Sequence, residues 1–396
     1  MTNAFSDFAE AASKASVSKN QPEVPTFDKV AVLGGGEDGQ LIAALCLASN
    51  AEVTLFSAYG KELEALRTSS GISIRGSGPV GTYQIDRNIS NSIQTTAELD
   101  NCIKNANVIF LTGPVHKQRT YAMVLADHIS DGQVLVLAPG RSLGAIETAW
   151  HLRIGGCKSD ITIVECQGLP YWVKAEGTVL HLSPSGLVAA ATLPSGRTRI
   201  ISSLIKFFPN LSSTASVLNS GFADGSALVE FPALLFGGPA MNNGAIKVPM
   251  GGTPLSENQN FASLIGKEQL ALINQLAKER RQVAKSFGVR DLPTTEEWVK
   301  THAGTIKDDV VRSVPDQFTA RNLLRCGVVG SLVPLFSAAK IAKINVPLTE
   351  SMINIASSIL GADVAAAGRR LDNMGITSTE IENARQMMDA IAMGTR

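Results

Sequence analysis

The sequence predicts a two-part α/β protein, with a doubly wound parallel sheet in the first half and an all-helical second half. Three observations carry this. From Lys29 to Glu165, short apolar runs alternate with helical spacing, as in strands linked by crossover helices. A glycine cluster, Gly34-Gly35-Gly36-Glu37-Asp38-Gly39, directly follows one such run. Beyond Phe207 strand-like alternation disappears, and apolar residues recur at three- and four-residue spacing.

In chain order, residues 1–26 are polar and Ala/Ser-rich and lack the basic start and apolar centre of a signal peptide. They read as an extension with one short helix near Phe5 to Ala15, ending in a Pro-containing linker. Strands are expected at 29–33, 52–56, 72–75, 108–112, 134–138 and 161–165. Helices are expected at 40–49, 60–68, 97–103, 117–129 and 143–154. Segments 178–182 and 187–192 read as an antiparallel pair joined by Ser183-Pro184-Ser185-Gly186. A helix at 199–207 follows, and a Gly/Pro-rich irregular stretch spans 237–254. Helical spacing then covers 261–287, 318–344, 348–360 and 379–393. Trp298, Phe318 and Phe336 fall at apolar positions and are expected in the core, while Lys278-Glu279-Arg280-Arg281 reads as a solvated helix face. The expected division is 1–26 extension, 27–206 nucleotide-binding domain and 207–396 helical substrate and dimerisation domain.

With 396 residues, 44% of them apolar, the chain has ample material for two cores. Its formal net charge of zero gives no steering toward nucleic acid or an anionic membrane. No uninterrupted apolar stretch of membrane-spanning length is read. Cys46, Cys102, Cys157, Cys166 and Cys326 are odd in number and not at metal-ligand spacing, so no metal site and a reducing, cytoplasmic home are expected.

Strand, Gly-x-Gly-x-x-Gly, helix is the context of a dinucleotide site. Gly34 permits the tight turn, Gly36 lets a pyrophosphate approach the backbone, and Gly39 lets helix and strand pack closely. Glu37 and Asp38 share that loop, whose helix N-terminus presents free N–H groups. Ligands of open α/β sheets bind beyond the carboxyl ends of the strands. After the second strand, Phe56-Ser57-Ala58-Tyr59-Gly60-Lys61 carries no acid for ribose hydroxyls. Ser57 and Lys61 therefore point to a 2′-phosphate and to NADP over NAD, with Arg67 and Arg75 as rival phosphate partners. Gly113 and Pro114 are placed along a nicotinamide, and His116 starts the next helix. Gly140 and Ser142 belong to the same rim, and Arg141 is a candidate anion clamp. Glu165, at the end of its strand, reads as a hydrogen-bonded residue at the cleft edge, and Gln167 and Tyr171 follow it. His302 reads as part of a surface loop, and Asp308-Asp309 as an N-terminal helix charge.

Several runs together resemble the octopine/nopaline (opine) dehydrogenase family. They are the glycine turn, Pro-Gly-Arg-Ser-x-Gly-Ala-Ile-Glu at 139–147, Glu-x-x-x-Leu-Pro-Tyr at 165–171, Leu332-Val333-Pro334, Asn345-Val346-Pro347, and Gly368-Arg369-Arg370-Leu371 through Gly375. The resemblance implies a Rossmann domain followed by an all-α domain like that of 6-phosphogluconate dehydrogenase. It implies NAD(P)-dependent joining of an amino acid to a 2-oxo acid through a reduced imine, and a homodimer. It also implies a general acid/base histidine in a His-Pro motif and an Arg…Asp pair.

The chain departs from that pattern twice. Phe231, in Glu230-Phe231-Pro232, stands at the histidine position. Arg321 matches the arginine, but the carboxylate position falls near Cys326 or Gly327. His116, Glu230 and Lys247 are therefore the candidate proton carriers, with Gln167, Tyr171, Asn242, Arg321 and Arg141 as substrate contacts and Asn243 beside them. Glu230 needs an apolar pocket to serve. A hydroxy-acid or alcohol dehydrogenase and a nucleotide-binding sensor without turnover stay open as alternatives.

Overall fold

The structure, a computed structural model, describes residues 25–69, 71–86, 89, 91–241, 260–305 and 311–394. The sheet-forming half runs β1 (Lys29–Leu33), α1 (Glu37–Ala48), β2 (Glu52–Phe56), α2 (Gly60–Ser69), β3 (Gly71–Gly76), β4 (Gly81–Gln84), β5 (Gln94–Thr96), α3 (Leu99–Ile103) and β6 (Val108–Leu111). It continues with α4 (Gln118–Leu125), β7 (Val134–Leu137), α5 (Gly144–Ile154), β8 (Thr162–Cys166), β9 (Tyr171–Glu176), β10 (Val179–Pro184), β11 (Val188–Leu193), α6 (Thr198–Leu204) and β12 (Leu211–Ser213). The helical half is α7 (Val217–Ala223), α8 (Ser226–Phe236), α9 (Lys267–Ser286), α10 (Thr295–Ala303), α11 (Gln317–Gly327), α12 (Val333–Ala342), α13 (Pro347–Leu360), α14 (Val364–Ala367) and α15 (Ile381–Ala392).

Eight strands form the main sheet in the order β12-β11-β8-β7-β6-β1-β2-β5. Only the β8–β11 pairing is antiparallel. Its central strands are buried on both faces, which is why they read as unbroken apolar runs. Along β6, Ile109 and Leu111 face one core while Val108 and Phe110 face the other. The first core takes in Leu335, Leu371 and Met374 of the helical half, so the two halves share buried surface. A third core, around Phe231, Trp298 and Leu332, belongs to the helices.

Four expectations are corrected. Segment 72–75 is a strand, but it lies in a separate four-stranded sheet, β4-β3-β10-β9. The main sheet instead ends in the three-residue β5, too short to show alternation. Segments 178–182 and 187–192 do not pair with each other. β10 pairs with β9 and β3, whereas β11 crosses to the main sheet against β8. The main sheet runs past 206, because β12 pairs with β11. Phe318 is 76% exposed, whereas Trp298 is buried and Phe336 partly so. The segment Gln317–Ala342 is one helical run long and apolar enough to cross a membrane, and 67% of its most apolar window is buried inside the fold.

Two buried arginines join the halves. Arg369 donates from Nε to Glu147 Oε2 at 2.6 Å, from Nη1 to Gly140 O at 2.6 Å and Ser142 O at 3.2 Å, and from Nη2 to Gln118 Oε1. Arg280 donates to Ser331 Oγ at 2.8 Å and to Ser142 Oγ at 3.2 Å, while Ser142 donates to Asp224 Oδ2 at 3.0 Å. Arg280 is thus fully buried, not on a solvated face. It lies on the buried stripe of α9 with Ile273, Leu276, Ala277, Val283 and Ala284. Burial raises the Asp224 carboxyl, but Arg141, Arg280 and the Ser226 hydroxyl outweigh it and hold the group down at about 2. A carboxyl lowered in the folded state stabilises above its unfolded value, and that stability is lost as pH falls through the folded one. Asp224→Asn is therefore expected to destabilise the protein by roughly 2–4 kcal/mol at pH 7. In urea titrations the deficit should shrink as pH drops from about 4 toward 2. A deficit independent of pH would contradict this.

Candidate active site

The glycine turn is built for close approach. Gly34 has φ +131° and donates its N–H to Phe56 O at 2.9 Å, tying the turn to the end of β2. A Cβ on Gly39 would lie 1.8 Å from the Gly34 carbonyl oxygen, so this position must be glycine for helix and strand to meet. A Cβ on Gly36 would meet nothing within 4 Å, leaving open space over the N-terminus of α1. Such a cradle fits a pyrophosphate. Glu37 and Asp38 temper that fit. Although water reaches Glu37, the cleft walls, Asp38 and Asp316 push its carboxyl up to about 7. Burial pushes Asp38 up to about 6 against the pull of Arg141.

Beside this turn, at the carboxyl ends of the strands, a cavity of about 580 Å³ opens between the two halves. Glu37, Asp38, Pro139, Arg141, Gln167 and Tyr171 line it from the sheet side, and Glu230, His302, Arg312, Asp316 and Thr319 from the helices. Arg141 holds φ +60°, a strained conformation for a residue with a side chain. It brings Nη2 to 3.8 Å from Glu230 Oε2. Arg312 Nη1 lies 3.0 Å from Glu230 Oε1. Two guanidinium groups thus face one carboxylate, in place of the apolar pocket that a proton-carrying Glu230 needs. The Nε of Arg141, Oε2 of Glu230 and Oε1 of Gln167 are buried without a hydrogen-bond partner.

His302 belongs to this wall rather than to a surface loop. It sits four residues after Trp298 on α10, hence on the face that packs inward. Burial lowers its imidazole to about 4, with Glu230 and Asp224 pulling upward and Arg141 and Arg312 downward.

The other expected residues scatter. Ser142 is buried, and its hydroxyl is held between Asp224 and Arg280 and is not part of the cavity lining. Gly140 makes its close approach to Glu165, whose Cγ a Cβ would meet at 2.5 Å. Glu165 itself accepts from Ala145 N–H at 2.8 Å, Ser220 Oγ at 2.6 Å and Gln167 Nε2 at 3.0 Å. Gly113, φ +90°, and Pro114 do form the turn after β6, and Gly113 has open space around it. His116 is half-buried and absent from the cavity lining; its Nδ1 is unpartnered, and burial, Arg325 and Lys117 lower its pKa. Arg321 is exposed and donates to Ala240 O at 3.1 Å, outside the cavity. Arg312, by contrast, lines the cavity. Phe231 packs in the helical core. Ser57 donates its hydroxyl to Glu62 at 2.6 Å, and Lys61 is exposed. Lys247, Asn242, Asn243, Asp308, Asp309 and the helix expected near Phe5 to Ala15 lie outside the described residues. Among the described residues no group of three or more His, Cys, Asp or Glu side chains is arranged to hold a metal ion.

Comparison with known proteins agrees with this architecture. Residues 29–140 match the family model described as NAD-dependent glycerol-3-phosphate dehydrogenase N-terminus. The opine dehydrogenase of Arthrobacter sp. (strain 1C) is 23% identical over 374 residues, covering 91% of this chain and 98% of that one. The structure of octopine dehydrogenase with NADH and pyruvate superimposes with a TM-score of 0.65 at 17% identity, over 93% of this chain and 98% of that one. D-mandelate dehydrogenase with NADH and anilino(oxo)acetate gives 0.60 at 12% identity, over 86% and 99%. In sequence along nearly its whole length, and in two-domain fold, the chain resembles the opine dehydrogenases.

Proposed function

We propose that the protein is an NAD(P)-dependent oxidoreductase acting on a C=N or C=O centre of a small carboxylated substrate, in the opine manner. The amine of an amino acid condenses with the carbonyl of a 2-oxo acid, water leaves, and the imine is reduced to a secondary amine. The observation that carries this reading is the cavity itself: Arg141, Arg312, Glu230 and His302 share it with the glycine turn.

A nicotinamide coenzyme, when bound, supplies the hydride. Backbone N–H groups of the turn after β1 hold its pyrophosphate. Arg141 and Arg312 receive substrate carboxylate, and Glu230 fixes both guanidinium groups, leaving one net positive charge between the three. His302 takes a proton from the substrate ammonium, which frees the amine to attack, and returns it to the departing hydroxyl. Burial is the main reason the imidazole sits at about 4; substrate carboxylate offsets the lesser pull of the two cations, so its pKa rises above that value in the complex. The unpaired cysteines fit a cytoplasmic setting, and the resemblance to opine dehydrogenases supports a homodimer.

Reduced coenzyme is expected to be consumed only when a 2-oxo acid and an amino acid are both present, followed by absorbance at 340 nm. Consumption with the 2-oxo acid alone would replace this reading with a hydroxy-acid dehydrogenase. Coenzyme binding without any turnover would leave a nucleotide sensor.

His302→Gln should lower kcat by about 10²–10⁴ while the oxo-acid KM changes little. In the parent enzyme the acid limb of kcat should lie above that of kcat/KM, which reports the free enzyme, and this difference should vanish in the variant.

A diphosphate beside Glu37 and Asp38 favours their protonated forms, so coenzyme binding takes up protons. Calorimetric affinity for NAD⁺ should therefore weaken several-fold from pH 6 to 8.5, and Glu37→Gln should flatten the trend. Affinity independent of pH in the parent protein would contradict the placement.

A further inference from the structure

The corner where the second strand ends carries an acid that lies one residue beyond the run Phe56 to Lys61. Glu62, in the first turn of α2, turns back over the strand end and accepts the Ser57 hydroxyl on Oε2 at 2.6 Å. Ser57 is buried, and its oxygen also accepts the Tyr59 N–H at 3.1 Å, so both its position and its proton are fixed. The same Oε2 lies 2.7 Å from where a Cβ on Gly35 would be, which sets the carboxylate against the glycine turn itself. Oε1 makes no hydrogen bond and Glu62 no ion pair among the described residues.

The cations near this corner are turned to other tasks or to solvent. Arg67 Nε is 3.0 Å from Asp86 Oδ2 and also donates to Thr95. Lys117 donates to the Tyr59 hydroxyl and lies over its ring at 4.6 Å. Lys61 is exposed.

We propose that Glu62 receives the adenosine ribose hydroxyls of the coenzyme and makes the site select NADH over NADPH. A carboxylate at the end of the second strand accepts hydrogen bonds from ribose hydroxyls. The same carboxylate, set against Gly35 of the glycine turn, meets a 2′-phosphate as one anion meets another. The preference for NADP expected from the sequence rested on the absence of an acid between 56 and 61. Helix α2 supplies that acid from the next position. This proposal rests on the coenzyme reading above, and its test separates the two.

The experiment is direct binding, independent of turnover: fluorescence titration of NADH and of NADPH into the full-length protein, with thermal melting to confirm that each variant is folded. The parent protein should bind NADH at least about tenfold more tightly than NADPH. Glu62→Gln keeps the size and an acceptor for Ser57 but removes the charge. It should bring the ratio toward one, chiefly by improving NADPH. Glu62→Ser should do the same while also weakening NADH several-fold. Equal or tighter NADPH binding by the parent, or a ratio unmoved in a folded Glu62→Gln, would overturn the proposal and leave the coenzyme reading intact. Retention of neither nucleotide at millimolar concentration would overturn both.

Discussion

The turn from Pro139 to Gly144 is the piece on which the site depends, and Arg369 holds it. Arg141 and Leu143 both adopt positive φ, at +60° and +59°, conformations that cost a residue with a side chain on the order of 1–3 kcal/mol. Such strain persists only where surroundings over-determine it. Arg369 accepts this task from one side by binding the carbonyls of Gly140 and Ser142, with Glu147 balancing its charge. Arg280 and Asp224 close the other side through the Ser142 hydroxyl. The π turn at Val328–Leu332 contributes the Gly330 carbonyl to Ser142 N–H at 3.0 Å and Ser331 to Arg280. Strain at Arg141 is thereby converted into position: the guanidinium is held at the cavity instead of in solvent. Because the clamping residues come from the helical half and the turn from the sheet, assembling the cavity and docking the halves are one event.

The charge pattern follows from the same arrangement. Deep in the cavity, two arginines share one glutamate, and the surplus positive charge waits for a carboxylate. Toward the coenzyme turn the sign reverses, with Glu37 and Asp38 facing Asp316. In the proposed reaction substrate and pyrophosphate are both anionic, so they would meet opposite environments within one cleft. The first is attracted outright. The second gains from the N–H groups of α1 what it loses to the acids, and protonation of Glu37 near neutral pH eases that opposition.

Periodicity made the alternating half, the glycine turn and the helical half legible, because each strand and helix shows its buried face in a single window. It failed where the signal was short or split. β5 and β12 are three residues each, and β9 is only half-buried, so none shows a face. His302 was within reach, since its four-residue step from Trp298 marks the inward face of α10. Arg280 was equally within reach on the stripe of α9, but charge outweighed position in reading it. Arg369, by contrast, meets Glu147 across 222 residues, and no local pattern encodes such a pairing.

The two departures from the opine pattern, at Phe231 and near Cys326 or Gly327, are linked physically. A histidine at 231 would need a carboxylate to orient its ring, and a carboxylate left near 326 or 327 without that histidine would be a buried, unpaired charge. Replacing one favours replacing the other. Phe231 now fills the helical core, and burial pushes the Cys326 thiol up, keeping it neutral. What this change leaves behind is Glu230, one residue away, already fixed by two arginines. In the proposed mechanism the proton carrier reaches that cluster from another helix, α10, which places His302 in the cavity wall. Glu230 and Asp224 favour the charged form of its ring, against the larger opposing effect of burial. On that reading the anion-holding floor is the fixed constraint, and the proton carrier can occupy more than one position around it.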